Sequence, residues 1–146
     1  MDKILLLDID GVLNTNSSRS KYGIDYINPY KVSLLNNLIG VSVVISSDWI
    51  LDCWEMEVAG VASKLKAAGL KLPVIGGIDK SPILVGSFKG LRHHEVMGWV
   101  DSYPGVNWVA IDDCQIYHKQ AVKTNPDIGL LPKHIRRIAR LFKENS

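Results

Sequence analysis

Two pairs of acidic residues stand directly behind apolar runs of the chain. Asp8 and Asp10 follow the first run, and Asp112 and Asp113 end a later one. Carboxylates gathered at one place lose hydration and repel one another, so their ionised forms need a cation. Hard oxygen ligands with few nitrogens or sulfurs select Mg²⁺. The two pairs therefore point to Mg²⁺ as a cofactor.

A third apolar run ends in two hydroxyl residues, Ser46 and Ser47. Side chains two positions apart on a strand point the same way, but a turn beginning near Gly11 can give Asp8 and Asp10 different roles. One carboxylate can then face a metal and a phosphorus atom while the other waits beside a leaving group. A single acid at a strand end more often caps the next turn. Two acid pairs and a hydroxyl together favour a functional site.

The elements that would position these residues alternate along the chain. Continuous apolar runs of strand length are typical of strands buried on both faces in a parallel sheet. Four such runs are Lys3–Asp8, Val41–Ser46, Pro73–Ile78 and Asn107–Asp112, with a weaker fifth at Ala121–Lys123. Helix-like stretches lie between or after them, at Pro29–Ile39, Trp54–Ala68, Leu91–Tyr103 and Leu131–Phe142. This alternation predicts an α/β fold with a mainly parallel sheet, whose strand ends carry the chemistry.

Composition places the chain among ordinary globular domains. It has 146 residues, of which 47% are hydrophobic and 22% charged, so we expect a single domain over residues 1–146. The net charge of +2 implies no general affinity for nucleic acid or anionic lipid. No apolar run reaches the roughly 18 residues that cross a bilayer. The short apolar stretch at the N-terminus meets an acid at once, unlike a signal peptide, so a cytoplasmic location is expected.

The sequence LLLDIDGVLN resembles the first motif of haloacid dehalogenase (HAD) superfamily phosphatases, an apolar strand followed by Asp-x-Asp-Gly. VVISSDW is similar to their second motif and WVAIDD to their fourth, in the right order. The details are closest to the small capless branch found in RNA-repair proteins and phages. The matching segments are Asp10–Asn14, Ser46–Trp49, Arg92–Glu95, Ile111–Asp113 and Gly129-Leu130. Ile50 departs from the pattern, because that branch often has Arg there, which leaves the substrate specificity open.

This resemblance implies a Rossmann-like three-layer α/β/α fold and a phosphatase mechanism. Asp8 would be the nucleophile that forms an aspartyl-phosphate, and Asp10 the general acid and base. Mg²⁺ would be held by the Asp8 carboxylate, the Asp10 main-chain carbonyl and one or both of Asp112 and Asp113. Ser46 is preferred to its neighbour for binding the phosphoryl oxygens, because it comes first after the strand.

The resemblance also implies a phosphate-binding cation before the fourth motif. Arg92 has the better helical register, and Lys89 is the alternative. The other candidates for binding substrate are Gly11, Asn14 and Ser47 around the phosphate, and Trp49 at the mouth of the site.

The gaps between elements are too short for a large cap domain. A flap of about residues 14–27 fills one gap, and about ten residues after Ile78 fill the other. An open site suits a phosphorylated substrate that brings its own bulk, such as a nucleotide, a nucleic-acid end or a phosphoprotein. The flap carries cations and aromatic residues suited to phosphates and bases, and a basic amphipathic helix is expected at about 131–143. A polar loop explains the flap at least as well, and the solvated side of an amphipathic helix is the more usual explanation of the basic run.

We therefore expect a Mg²⁺-dependent phosphomonoester hydrolase. The alternative is a HAD-like module that senses phosphate or binds nucleic acid without significant turnover.

Overall fold

A computed structural model describes residues 2–52, 57–80 and 90–145 of the chain. The strands are β1 (Lys3–Leu7), β2 (Val41–Ile45), β3 (Val74–Gly77), β4 (Asn107–Asp112) and β5 (Ala121–Lys123). The helices are α1 (Asn16–Tyr22), α2 (Pro29–Leu35), α3 (Trp49–Asp52), α4 (Val58–Ala67), α5 (Leu91–Ser102) and α6 (Pro132–Glu144). Every strand predicted from an apolar run is present, with ends within one residue of the prediction.

The five strands form one sheet in the order β3-β2-β1-β4-β5, and every pair is parallel. β1 is central, with β2 on one side and β4 on the other. Hydrophobic side chains occupy both faces of these strands, which is why the runs carry no polar alternation. The prediction of a parallel α/β sheet is confirmed.

Alternate residues of the strands enter two separate cores. Leu5 and Leu7 of β1 pack on the side of α2, α4 and α6, whereas Ile4 and Leu6 pack on the side of α5. The sheet thus lies between two layers of helices, as the three-layer prediction requires. The parity of a residue along its strand decides which helical layer its side chain meets.

The helical segments α1, α2 and α4 differ from their predictions, and the short helix α3 was not predicted. α2 ends at Leu35 rather than Ile39, because the chain turns through the residues before Gly40. α4 begins only at Val58, and residues 53–56 of the predicted helix lie outside the described residues. The flap, expected as a loop, contains α1, whose first turn is closed by reciprocal hydrogen bonds between Thr15 and Ser18.

The two positions where a cap domain could be inserted hold only short connections. Residues 8–28 between β1 and α2 form the turn and the flap, and residues 78–90 join β3 to α5. Within the ranges that the structure describes, no helix has the length and apolar character needed to cross a bilayer.

Candidate active site

The ends of the three central strands bring Asp8, Ser46 and Asp112 into one row. Leu7 of β1 stands opposite both Ile45 of β2 and Ile111 of β4, so the next residue of each strand is also aligned. Backbone hydrogen bonds continue this register, from Asp8 N to Ile111 O at 3.1 Å and from Ser46 N to Leu7 O at 2.8 Å. Neighbouring strands are about 4.8 Å apart, so the three side chains are adjacent.

Strand parity directs this row toward α5. Asp8 has the parity of Ile4 and Leu6, and Asp112 has that of Ala110, all of which face the α5 side of the sheet. Arg92 in the first turn of α5 meets them there. Its Nη1 lies 2.5 Å from Asp112 Oδ2 and 3.2 Å from Asp8 Oδ1.

Burial and mutual repulsion shift the ionisation of these acids. Loss of hydration, together with the neighbouring charge of Asp112, raises the pKa of Asp8 to about 7, and Arg92 offsets this only in part. Burial likewise raises the pKa of Asp112, and burial with the charge of Asp8 raises the pKa of Asp113 to about 6. Arg92 also loses hydration, yet the carboxylates of Asp8, Asp112 and Asp48 raise its pKa. When all three acids are ionised, their negative charge exceeds what Arg92 alone neutralises.

The donor set at this point suits a hard divalent cation. The charge of Asp112 raises the pKa of Asp8, and the charge of Asp8 raises the pKa of Asp113, as expected of neighbouring carboxylates that need a shared proton or a cation. Oxygen atoms of Asp112 and Asp113 lie within 4.8 Å of each other and of the exposed thiol of Cys114. These carboxylates are the ligands that Mg²⁺ prefers, and the row can therefore hold one.

Gly11 allows Asp113 to reach the row. Gly11 has a φ of +80°, and a Cβ at this position would lie 2.4 Å from Asp113 Oδ2. Any other residue would be strained and would displace the carboxylate. The Gly11 carbonyl accepts a hydrogen bond from the hydroxyl of Thr124 at 2.8 Å, and its N–H donates to Asn14 Oδ1 at 2.9 Å.

Asp10 lies apart from the buried row, held on the side of the flap. Its Oδ1 accepts a hydrogen bond from Asn14 Nδ2 at 2.9 Å and lies 3.3 Å from Arg19 Nε. The side chain of Asp10 is 35% exposed, whereas that of Asp8 is 4% exposed. The two acids of the Asp-x-Asp motif thus have different surroundings: one faces the buried row and the other faces solvent and the flap.

The two serines after β2 have different hydrogen bonding. Ser47 Oγ accepts a hydrogen bond from Trp49 N at 3.1 Å, so this hydroxyl supports the start of α3. Ser46 Oγ is buried and has no hydrogen-bond partner among the described residues. A buried hydroxyl without a partner is costly, and a ligand oxygen would satisfy it.

The chain was compared with models of known protein families. Residues 4–135 match the model of the HAD domain in Swiss Army Knife RNA repair proteins. The chain belongs to this family. A comparison with curated proteins finds no match.

Membership of this family confirms the resemblance drawn from the sequence motifs. In this HAD domain the structure brings together the predicted residues Asp8, Ser46, Arg92, Asp112 and Asp113. Asn14 is fully buried beneath the site, where it links Gly11, Asp10 and the Tyr26 carbonyl. The alternative cation, Lys89, lies outside the described residues.

Trp49 was expected at the mouth of the site, but the structure places it elsewhere. It is 5% exposed and packs in the core on the α4 side of the sheet, with Lys64 Nζ 5.5 Å from its ring. Its backbone N–H donates to Ser47 Oγ at the start of α3.

Sequence reasoning missed Lys80, which follows β3. Its side chain is 5% exposed, and its Nζ lies 3.0 Å from Asp48 Oδ1, lies 3.3 Å from Glu95 Oε1 and donates to the Ser46 carbonyl. Burial opposes ionisation of Asp48, but Lys80 and Arg92 together lower its pKa. The position of Lys80, just beyond the carboxyl end of an apolar strand, was the available signal.

Proposed function

We propose that this HAD domain hydrolyses phosphomonoesters through an aspartyl-phosphate on Asp8, with Mg²⁺ as its cofactor. The observation that carries the proposal is the row of Asp8, Ser46 and Asp112 on the side of the sheet that faces Arg92. This row and Arg92 together place a nucleophile, a hydroxyl that has no partner among the described residues and a largely buried cation within the reach of one phosphoryl group.

In the first step, an Asp8 carboxylate oxygen attacks phosphorus, and the bond between phosphorus and the ester oxygen breaks. Asp10 supplies the proton that the leaving oxygen takes up. Asn14 and Arg19 both contact Oδ1 of Asp10, and we therefore assign the transferred proton to Oδ2. The alcohol then leaves on the exposed side of the row.

In the second step, water hydrolyses the aspartyl-phosphate. Asp10, now ionised, takes a proton from this water as its oxygen attacks phosphorus, and the bond from phosphorus to Asp8 breaks. Inorganic phosphate leaves, Asp8 returns as a carboxylate and Asp10 regains its proton. The partial exposure of Asp10 supports this role, because it needs contact with both the leaving alcohol and solvent water.

The remaining groups act on charge and position. Arg92 neutralises part of the negative charge that a phosphate would bring to the buried acids, and Ser46 Oγ donates to a phosphoryl oxygen. Bound Mg²⁺, held by Asp8 with Asp112 or Asp113 and the Asp10 carbonyl, would offset the repulsion between the anionic nucleophile and the anionic ester. Lys80 holds the Ser46 carbonyl and so keeps the hydroxyl in the row.

Steady-state turnover of p-nitrophenyl phosphate and a broad panel of natural phosphate esters tests the activity. We expect turnover that requires Mg²⁺ and falls by about 10³-fold or more in Asp8→Asn, because the nucleophile is lost. Asp101→Asn, which alters an exposed acid near the far end of α5, is the matched control and should keep the wild-type rate. Absence of wild-type turnover on every ester would contradict the proposal and favour a non-catalytic binding module.

Thermal unfolding tests the metal site independently of activity. Millimolar Mg²⁺ should raise the wild-type Tm by about 9 °C, since a ligand at 100 times its Kd adds about 2.7 kcal/mol to the free energy of unfolding. Asp112→Asn should lose most of this shift, and Asp101→Asn should keep it. A shift unaffected by Asp112→Asn would place the cation elsewhere.

The substrates that we propose are nucleotides or the phosphorylated ends of nucleic acids. The name of the matched family, which refers to RNA repair, and the short connections beside the site support this choice. A site without a large covering domain can admit the end of a long polymer.

A further inference from the structure

The flap is tied directly to the proposed general acid. Asn14 Nδ2 donates both to Asp10 Oδ1, at 2.9 Å, and to the Tyr26 carbonyl, at 3.0 Å. These two hydrogen bonds place the Tyr26 backbone within about 6 Å of the Asp10 carboxylate. Arg19, from the middle of α1, approaches the same carboxylate oxygen at 3.3 Å. A group attached to the leaving oxygen beside Asp10 would therefore meet the flap first.

An aromatic surface lies on this part of the flap. Tyr22 follows Arg19 by three residues and so shares its face of α1. The rings of Tyr22 and Tyr26 pack with centroids 4.7 Å apart and planes inclined by 36°. Tyr22 is nevertheless 59% exposed, while Tyr26 is partly buried beneath it. The pairing orients the Tyr22 ring and leaves much of its surface open to solvent.

The charge of the flap suits a polyanion. The ammonium of Lys21 lies 5.2 Å from the centroid of the Tyr22 ring. The acid of the flap, Asp25, is paired with Lys64 of α4 at 3.1 Å, and this pairing lowers the pKa of Asp25. Arg19 is paired with Asp10, so the ammonium of Lys21 leaves a positive charge beside the exposed ring.

We propose that the flap surface, formed by Arg19, Lys21, Tyr22 and Tyr26, binds the terminal nucleotide of a phosphorylated single-stranded nucleic acid. Its base stacks on Tyr22, and the cations contact phosphates. This proposal rests on the proposed phosphatase function, because the terminal phosphate must occupy the row of acids. Base stacking on an exposed aromatic ring beside cations is how many single-strand-binding sites work, and it tolerates any base.

The observations favour a nucleic-acid end over a phosphopeptide or a sugar phosphate. A stacked base presents a flat π-face of about the same size as the Tyr22 ring, flanked by phosphates that pair with lysine and arginine. A sugar phosphate offers no flat face. An extended peptide is usually held by an open strand edge or a side-chain pocket, whereas this surface is one face of a helical turn with an aromatic pair.

The test uses two short single-stranded oligonucleotides that carry the same terminal phosphate, one with a normal terminal nucleotide and one with an abasic residue there. Each is made with the phosphate at the 5′ or the 3′ end. For the preferred end, wild type should have a kcat/KM at least fivefold higher with the base, the equivalent of about 1 kcal/mol of stacking. Tyr22→Leu should reduce this ratio to near one.

Tyr103→Leu is the matched control. Tyr103 is also exposed, by 54%, and also packs on an aromatic ring, that of Trp99 at 4.7 Å. Arg92 is in the first turn of α5, and Tyr103 follows the last residue of this helix. The two residues are therefore roughly 16 Å apart along the helix axis. The base-dependent ratio should stay at its wild-type value in this variant, and the Tm of both variants should be measured to confirm folding.

The outcomes separate this proposal from the phosphatase function. Turnover without preference for the base, or an equal effect of Tyr22→Leu on both oligonucleotides, overturns base stacking and leaves the phosphatase intact. A higher kcat/KM for phosphopeptides than for oligonucleotides also overturns it. If no ester is hydrolysed, the phosphatase function fails. Fluorescence anisotropy then decides the matter: the labelled oligonucleotides should bind more tightly with the base than without it, and Tyr22→Leu should remove the difference.

Discussion

Two adjacent serines show how a single hydroxyl group can serve either function or stability. Both are buried at 1% exposure, yet Ser47 is hydrogen-bonded within the protein, whereas Ser46 Oγ has no partner among the described residues. Removing an unsatisfied buried hydroxyl relieves a desolvation cost, and removing a satisfied one leaves its partner N–H unpaired.

Replacing Ser46 with alanine should therefore lower activity, whereas replacing Ser47 with alanine should lower stability. Ser46→Ala should lower kcat/KM about 10- to 100-fold, from a lost hydrogen bond of roughly 1.5–3 kcal/mol to a charged phosphate, without lowering the Tm. Ser47→Ala should reduce the free energy of unfolding by about 1 kcal/mol, or roughly 3 °C in Tm. Steady-state kinetics and thermal unfolding of both variants measure the two effects. The same response in both variants would contradict the assignment.

Gly11 allows a comparison between backbone strain and steric contact. Gly11 and Gly105 both have a φ near +80°, but a Cβ would meet Asp113 at Gly11 and nothing within 4 Å at Gly105. Gly105→Ala should cost about 1–2 kcal/mol from the left-handed conformation alone. Gly11→Ala should cost more and should also remove the stabilisation by Mg²⁺, because Asp113 is displaced. Calorimetry with and without Mg²⁺ measures both effects. An equal loss of stability in Gly11→Ala and Gly105→Ala would show that Asp113 moves freely.

At the scale of elements, α6 begins with a hydrogen bond that depends on the protonation of a histidine. Leu131 N donates to His134 Nδ1 at 2.9 Å, which requires the neutral imidazole. Burial, with the charges of Lys133 and Lys31, lowers the pKa of His134. Because the folded state binds this proton less readily than the unfolded state, folding stability decreases as the pH falls through about 6.5, the ordinary pKa of histidine.

We expect this dependence to disappear when the histidine is replaced. Between pH 7.5 and 5.5, the wild type should lose about 1 kcal/mol more stability than His134→Gln, whose amide oxygen can still accept from Leu131 N. Denaturant unfolding at the two pH values measures the difference. An identical loss in both proteins would show that His134 contributes nothing to the pH dependence.

At the scale of the whole molecule, the C-terminal third of the chain holds the loop that carries the first motif. Thr124 donates to the Gly11 carbonyl, and Leu130 N donates to the Val12 carbonyl at 2.8 Å. Lys31 of α2 ties down the same segment by donating to the carbonyls of Ile128 and Leu130, at 2.8 and 3.1 Å. The turn after β1 is thus supported by residues about a hundred positions away.

Lys31→Met should destabilise the whole domain. Lys31 is 8% exposed, and its burial lowers the pKa of its ammonium. Methionine fills similar space but leaves two carbonyls unsatisfied, so the free energy of unfolding should fall by about 2–4 kcal/mol. Lys66→Met, at an exposed position of α4, is the control and should change stability by less than about 0.5 kcal/mol. Equal effects of the two substitutions in denaturant unfolding would contradict a structural role for Lys31.

Local features of the sequence were enough to predict the strands and the acids behind them. Asp8, Asp112 and Ser46 each follow an apolar run, and the carboxyl ends of parallel strands meet at one edge of a sheet. The helix in the flap was missed because it is short and mostly polar, so it has no apolar periodicity. Its one local signal was the capping pair Thr15 and Ser18.

The fold class, the order of the motifs and the acids at the strand ends could all be predicted, because hydrophobic periodicity and strand-end chemistry are local properties. Which side chains meet depends instead on tertiary packing. Strand register and parity put Arg92 against Asp8, Lys80 against Ser46 and Trp49 into the core. Those contacts depend on how distant segments pack, and a local sequence pattern does not predict which partner a long side chain contacts.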